Sequence, residues 1–310
     1  MKLHTSLNSY TKAPSVITIG TFDGVHIGHQ KIIDRLIKVG QQKGLKSLVL
    51  TFFPHPRMVL QSDANIKLLN TIEERQNILS HTQLDHLVTK KFTADFANLS
   101  AHDYVKDILV DALNAKHIII GYDHHFGKNR SANINDLKTF GKQFGFEVEE
   151  ISVQDIEDVA VSSTKIRAAL NQGKITVANS YLGYAYYISG TVVKGKGLGK
   201  QIGFPTANIH IEENYKLIPK NGVYIVKSTL HNATIYGMMN IGTNPTVNGT
   251  SQTIEVNFFN VDENLYDKTL KIELLKRLRD EHKFSSVDAL KTQLKIDAQN
   301  AHQFINTLDA

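Results

Sequence analysis

Three short apolar runs set the pattern of the first half of the chain. Val16-Ile17-Thr18-Ile19 stops at Gly20, Leu48-Val49-Leu50-Thr51-Phe52 stops at Pro54, and Ile118-Ile119-Ile120 stops at Gly121. Nearly unbroken apolar stretches of this length suit strands covered on both faces, as in a parallel sheet. Between them, Ile32, Ile33, Leu36 and Ile37 recur at helical spacing, and so do Tyr104, Ile108 and Leu109. The alternation predicts βαβ repeats and an α/β doubly wound, Rossmann-like sheet. Ligands of such sheets sit beyond the carboxyl ends of the strands, and each run ends there in a loop bearing Gly, His or Pro.

The second half changes period. Tyr187 to Val193, Val223 to Leu230, Thr234 to Ile241, Ile254 to Val261 and Leu270 to Arg277 read as strands separated by turn residues. The gaps leave no room for crossover helices, so the expectation is a small antiparallel β-barrel. A C-terminal helix follows, capped by Ser285 or Ser286 with Asp288 in its first turn. A helix stop at Asn171-Gln172-Gly173 puts the domain boundary near residues 172–186 and divides the chain into 1–178 and 179–310.

Composition narrows the classes. With 310 residues, the chain has room for two domains at about 150 residues each. It is 41% hydrophobic and 21% charged, which is ordinary globular composition. The absence of cysteine excludes disulfides, thiolate metal sites and a cysteine nucleophile. The polar start, MKLHTSLNSYTK, lacks the apolar core of a secretory signal. No apolar run approaches the roughly 20 residues that span a bilayer. The expectation is a cytoplasmic protein with no membrane partner. A net charge of +5 suits nucleic acid and anionic small molecules equally.

The chemistry concentrates in two stretches. The first is Gly20-Thr21-Phe22-Asp23-Gly24-Val25-His26-Ile27-Gly28-His29, lying between a strand and a helix. Its glycines let the backbone approach a ligand, and free N–H groups at the helix start favour an anion. His26 and His29 can donate to phosphate oxygens whose charge grows in a transition state. Gly20, Phe22, Asp23, Gly24 and Gly28 join them as phosphate-binding candidates. The string matches neither a Walker A loop nor a G-x-G-x-x-G fingerprint. Three further segments are expected at the same edge: Thr51 to Arg57, Gly121 to Gly127, and Ser162 to Arg167. In the last, Ser163, Thr164 and Arg167 can hold polyphosphate at a capped helix start. Asp123-His124-His125 is rejected as a zinc site, because adjacent side chains seldom ligate one ion and no third ligand lies near. Phosphate-cradling groups without an activated nucleophile suit direct nucleotidyl transfer by positioning and charge stabilisation.

The second stretch runs from Gly195 to Asn208. Gly197, Gly199 and Gly203 make a loop able to fold over phosphates. Thr206 and Asn208 offer neutral oxygens suited to Mg²⁺ accompanying ATP. In Ile254-Glu255-Val256-Asn257-Phe258, alternation puts Glu255 and Asn257 on one strand face. Taken alone, Glu255 reads as a solvent-facing carboxylate; the neighbouring motif makes it the candidate base.

Together these motifs resemble the bacterial bifunctional riboflavin kinase/FMN adenylyltransferase family over nearly the full length. G-x-F-D-G-x-H-x-G-H resembles adenylyltransferases generally, and S-S-T-x-I-R at 162–167 narrows the likeness to the flavin group. G-F-P-T-A-N at 203–208, N-I-G-T-x-P-T at 240–246 and L-R-D-E-x-K-F at 278–284 resemble the flavokinase module. The resemblance implies riboflavin, FMN and ATP as substrates. It has His26, His29, Thr164 and Arg167 contact ATP phosphates, Thr206 and Asn208 hold Mg-ATP, and Glu255 deprotonate the ribityl 5′-hydroxyl. Asp123, His125, Phe126 and Arg279 are the flavin-contacting candidates. Asp123-His124-His125-Phe126-Gly127 stands where D-F-R-F-G is usual; Leu182-Gly183-Tyr184-Ala185-Tyr186 replaces L-G-R-P-Y, and Tyr266-Asp267 replaces Y-G.

Two rival readings remain at this stage. One is an enzyme with a single activity whose other half only binds flavin. The other is a flavin-sensing nucleic-acid regulator, disfavoured because no aromatic-interleaved basic strand or reading helix is present. The expectation is therefore no nucleic-acid partner, and a monomer or transient oligomer.

Overall fold

The computed structural model describes residues 1–61, 66–121, 124–151, 161–195, 197–246 and 249–308, without the side chains of 244–246 and 249–251. The chain divides into two compact units, Met1–Ser163 and Thr164–Ala310.

The first unit is built on a six-stranded sheet. Its strands are β1 (Lys2–His4), β2 (Ser15–Ile19), β3 (Lys46–Phe53), β4 (His86–Lys91), β5 (Ala115–Gly121) and β6 (Glu147–Ile151). They lie in the order β1-β4-β3-β2-β5-β6, and every pair is parallel. The three apolar runs become the three central strands. Along them successive side chains enter opposite cores, as the period of two requires. Ile17, Ile19, Leu48, Leu50, Phe52, Ile118 and Ile120 belong to one buried cluster, whereas Val16, Val49 and Ile119 belong to the other. Helices Ile27–Lys43 and Ile72–Ser80 supply Ile33, Leu36, Val39 and Leu79 to the second cluster. On the opposite face, Tyr104–Ala112 and Ile134–Phe144 complete the first. Tyr104–Ala112 is wound as a π-helix rather than the α-helix its spacing predicts. Its buried residues are Tyr104, Val105, Ile108 and Leu109. The chain builds β3, β4 and β1 on one side of β2 and then crosses to β5 on the other. The crevice at the carboxyl ends of β2 and β5 is therefore the topological switch point.

The second unit is a closed barrel of β7 (Tyr187–Val193), β8 (Ala207–His210), β9 (Gly222–Leu230), β10 (Ala233–Thr246), β11 (Gly249–Phe258) and β12 (Thr269–Arg279). Its order is β10-β11-β8-β7-β12-β9, antiparallel throughout. β8 is a sixth strand beyond the five expected from the sequence, and β10 and β11 differ from expectation in extent. β10 runs on to Thr246, and β11 spans Gly249–Phe258 rather than 254–261, because the hairpin ladder continues through polar pairs to Thr246↔Gly249. β11 stops before Asn260, whose φ of 56° turns the chain. Helices Ser163–Asn171 and Ile175–Leu182 precede the barrel, and Asn179 donates to the Leu274 carbonyl of β12 at 2.8 Å.

The C-terminal helix, Val287–Asn306, is capped by Ser286, whose hydroxyl accepts from the Ala289 N–H at 3.1 Å. It buries Ala301 and Ile305 against Ile225 and Met238. A forked ion pair also pins it: Arg279 Nε donates to Asp297 at 3.0 Å and Nη2 at 2.7 Å. Gln293 donates to the same carboxylate at 2.9 Å. Asp297 is only 2% exposed, so removing it strands a partly buried guanidinium. Asp297→Ala should destabilise the second unit by about 3 kcal/mol in urea unfolding, whereas truncating exposed Asp288 should cost under about 1 kcal/mol.

Candidate active sites

The first site forms where β2 ends. Gly20 continues the ladder, its N–H donating to the Leu50 carbonyl at 3.1 Å. The next residues then enter left-handed conformations: φ is 48° at Phe22, 87° at Gly24 and 38° at Val25. For Phe and Val such angles cost on the order of 1–3 kcal/mol each. The surroundings hold them there. Phe22 and Val25 are buried. The Asp23 carboxylate accepts from the Leu69 N–H at 2.9 Å and the Asn70 N–H at 3.3 Å. The Asp23 carbonyl accepts from the Ser163 hydroxyl at 2.9 Å, and the Val25 carbonyl from Gln30 Nε2 at 2.9 Å. Asp23 is thus a brace for the turn, buried at 1% exposure.

That turn delivers His26 as the N-cap of Ile27–Lys43. Its Nδ1 accepts from the His29 N–H at 3.3 Å, which leaves the ring proton on Nε2. The two imidazoles stack with centroids 3.7 Å apart and planes 14° apart. A side chain at position 28 would press on the His26 ring at 3.3 Å, so glycine lets the rings stack. Burial pushes His26 down to about 4, with Asp23 opposing. Burial, then His26, then Arg75 hold His29 well below the usual histidine range. Both rings are neutral at pH 7. A neutral imidazole keeps one N–H able to donate to an anion.

Arg75 went unread in the sequence, where nothing in Thr71-Ile72-Glu73-Glu74-Arg75 sets it apart. It is fully buried, and its Nη1 donates to the Thr51 hydroxyl at 3.3 Å. That hydroxyl donates in turn to the Thr21 carbonyl at 3.2 Å. A buried cation is therefore tied through Thr51 to the phosphate-turn candidate. His125 lies 3.4 Å from the Arg130 guanidinium, while Phe126 is buried in the sheet core with its ring 5.7 Å from that of Tyr104. Asp123 lies outside the described residues. Ser163 begins the helix Ser163–Asn171, and Thr164 and Arg167 follow on it three residues apart, hence on one face.

The second site lies at one edge of the barrel. β8 pairs with β11 at Ala207↔Val256 and Asn208↔Glu255. Just ahead of β8, the Thr206 hydroxyl donates to Glu255 Oε2 at 3.2 Å. The loop before it turns at Gly197 and Gly203, with φ of 71° and 85°. A Cβ at Gly195 would run into the Asn208 carboxamide, and one at Gly199 into the Phe204 carbonyl. Close approach to backbone therefore requires the glycine at 199, whereas at 195 it leaves room for the Asn208 side chain. A cleft of about 580 Å³ opens here, lined by Lys200, Thr206, Phe258, Asp262, Asn264 and Tyr266 among others. Of its 262–266 wall the sequence reading singled out only Tyr266, in the Tyr266-Asp267 pair. Arg279, a flavin-contacting candidate in the sequence, is paired through its fork with Asp297.

The family described as FAD synthetase matches residues 9–165, and the family described as riboflavin kinase matches residues 182–305. Curated relatives called bifunctional riboflavin kinase/FMN adenylyltransferase match end to end. The one from Buchnera aphidicola (subspecies Schizaphis graminum) is 37% identical over 99% of this chain and 100% of that protein. That of Listeria monocytogenes is 36% identical over 97% and 96%, and that of Escherichia coli K12 35% over 98% and 98%. The chain belongs to the bifunctional riboflavin kinase/FMN adenylyltransferase family. As in the family, it is an enzyme that phosphorylates riboflavin to FMN and adenylylates FMN to FAD. A solved structure described as a macrolide-efflux protein from Streptococcus pneumoniae shares the fold, with a TM-score of 0.88 and 31% identity over 97% of this chain and 98% of that one. The efflux description belongs to that protein. Among the described residues here, no helix is long and apolar enough to cross a membrane.

The histidine stack also has a stability signature. A histidine whose folded pKa lies below its unfolded value stabilises fully above pH 6.5 and progressively less as pH falls toward 4. His26→Asn keeps a capping side chain and removes the titration. In urea unfolding, the parent should lose on the order of 3 kcal/mol more than the variant between pH 7.5 and pH 4.

Proposed function

We propose that the β8–β11 edge phosphorylates riboflavin and that the β2 turn adenylylates the FMN produced. The observation carrying the first assignment is Glu255 in register with Asn208, its carboxylate bonded to Thr206 beside an open cleft. Thr206 occupies Oε2 and leaves Oε1 to receive a proton. Glu255 takes the proton of the ribityl 5′-hydroxyl as that oxygen attacks the γ-phosphorus of ATP, and ADP departs. Gly197, Gly199 and Gly203 bring the loop backbone close to the phosphates, with Lys200 on the cleft wall.

Mg²⁺ fits the donor set: a hydroxyl at Thr206 and a carboxamide at Asn208, two residues apart with Glu255 opposite. When bound, the ion neutralises phosphate charge. The protein's own part is to hold the hydroxyl, carboxamide and carboxylate in register.

At the β2 turn, an FMN phosphate oxygen attacks the α-phosphorus of ATP and pyrophosphate leaves. His26 and His29 donate N–H groups to the developing charge, together with the backbone N–H groups at the helix start. Gly20 and Phe22 shape the turn, Gly24 and Gly28 allow it, Asp23 braces it and Ser163 ties it down. His125, paired with Arg130, is the flavin contact; Phe126 supports it from the core. Two ATP-consuming reactions support a cytoplasmic workplace, with small molecules as partners and a monomer or transient oligomer as the working form.

The assignment separates by mutation. Glu255→Gln should lower FMN formation from riboflavin by roughly 10²–10⁴ while leaving conversion of supplied FMN to FAD intact. His29→Ala should do the reverse, losing on the order of 10²–10³ in FAD formation. Equal damage to both reactions by either variant, with circular dichroism unchanged, contradicts the two-site assignment.

A further inference from the structure

The β8–β11 ladder is short. Its register contains only Asn208↔Glu255 and Ala207↔Val256, and the next rung would pair Thr206 with Asn257. That rung is absent, and the residue ahead of it is Pro205, whose φ is fixed. In its place, Asn257 Nδ2 donates to the Pro205 carbonyl at 2.8 Å. A carbonyl can only accept, so the carboxamide must turn its nitrogen toward it. Asn257 lies two residues beyond Glu255 on the same face of β11. The side chain thus closes a ring: Glu255 to Thr206 through the hydroxyl, Thr206 to Pro205 through the peptide, and Pro205 back to β11 through Asn257.

We infer that Asn257 is a positioning residue for riboflavin phosphorylation, standing in for a missing ladder rung and holding Thr206 against Glu255. This rests on Glu255 as the base. Without the Asn257 donor, the Thr206 hydroxyl on Glu255 is the one bond described between the Pro205-Thr206 segment and β11 ahead of the Ala207 pairing. The Thr206 hydroxyl then spends less time on Oε2, and the carboxylate rotates. Misplacement by about 1 Å at such a group costs up to roughly 10² in rate, with little change in ground-state binding. Asn257 itself touches no reacting atom; its influence passes through Thr206 and Glu255.

The decisive experiment is a double-mutant cycle read in both reactions. Asn257→Asp keeps the shape and replaces the donor with an acceptor, and Asn257→Ala removes it without adding charge. Each should lower kcat for riboflavin phosphorylation by roughly 10- to 100-fold, keep KM for riboflavin within about threefold, and leave FMN adenylylation by the same preparation within about twofold. On a Glu255→Gln background, either change should cost less than about threefold more, since its effect runs through the carboxylate. Full-length phosphorylation unchanged in both variants, with Glu255→Gln impaired, overturns the inference alone. So does a loss confined to the Asp variant, which would be charge repulsion. A full repeat of the loss on the Gln background, or a parallel fall of both activities, also overturns it. Undiminished phosphorylation by Glu255→Gln overturns the reading of the base, and the inference with it.

Discussion

A backbone bent into left-handed conformations directly beside a strand is the constraint from which both sites follow. Phosphate groups must meet main-chain N–H donors at close range, and an extended strand spends those donors on its ladder. Phe22, Gly24 and Val25 break that pattern after β2; Gly197 and Gly203 break it between β7 and β8. Phe22 and Val25 are not glycines, so the first turn stores strain that its neighbours must balance. Asp23 does most of this, accepting from two main-chain donors 46 and 47 residues away. In the barrel, glycines take the left-handed positions and the turn is instead held through side chains of β11.

The two candidate sites differ in polarity. At the β2 turn, burial keeps two stacked imidazoles uncharged, with Arg75 tied in through Thr51. Neutral donors in a desolvated setting are worth more to an incoming anion than solvated cations would be. At the barrel edge, the defining group is a carboxylate. A carboxylate suits removal of a hydroxyl proton and would repel a nucleophilic phosphate. Under the proposed assignment, the chemistry of each substrate, a hydroxyl in one reaction and a phosphate in the other, matches the polarity of the edge assigned to it.

The fold was legible where burial is two-sided. β2, β3 and β5 are read from their apolar runs because neither face meets water. β1 and β6 lie at the sheet edges, and β4 beside one of them; Lys2-Leu3-His4, Glu147-Val148-Glu149-Glu150-Ile151 and His86 to Lys91 carry too many polar residues to stand out. β11 was placed late because its first residues pair through the hairpin rather than through apolar burial. For the sites, local spacing predicted the His26–His29 pair and the Thr206–Asn208 turn. It could not foresee long-range partners. Asp23 faces Leu69 and Asn70, Arg279 faces Asp297, and Arg75 faces Thr51; each assignment depends on a residue at least 18 positions away.

The central claim is that one chain carries two separate triphosphate sites of different construction. Calorimetric titration of the full chain with a non-hydrolysable Mg-ATP analogue tests it directly. Two binding events per chain, one of them abolished by His29→Ala and the other retained, are what this account predicts. A single event, or the loss of all binding in that variant while the protein stays folded, would contradict it.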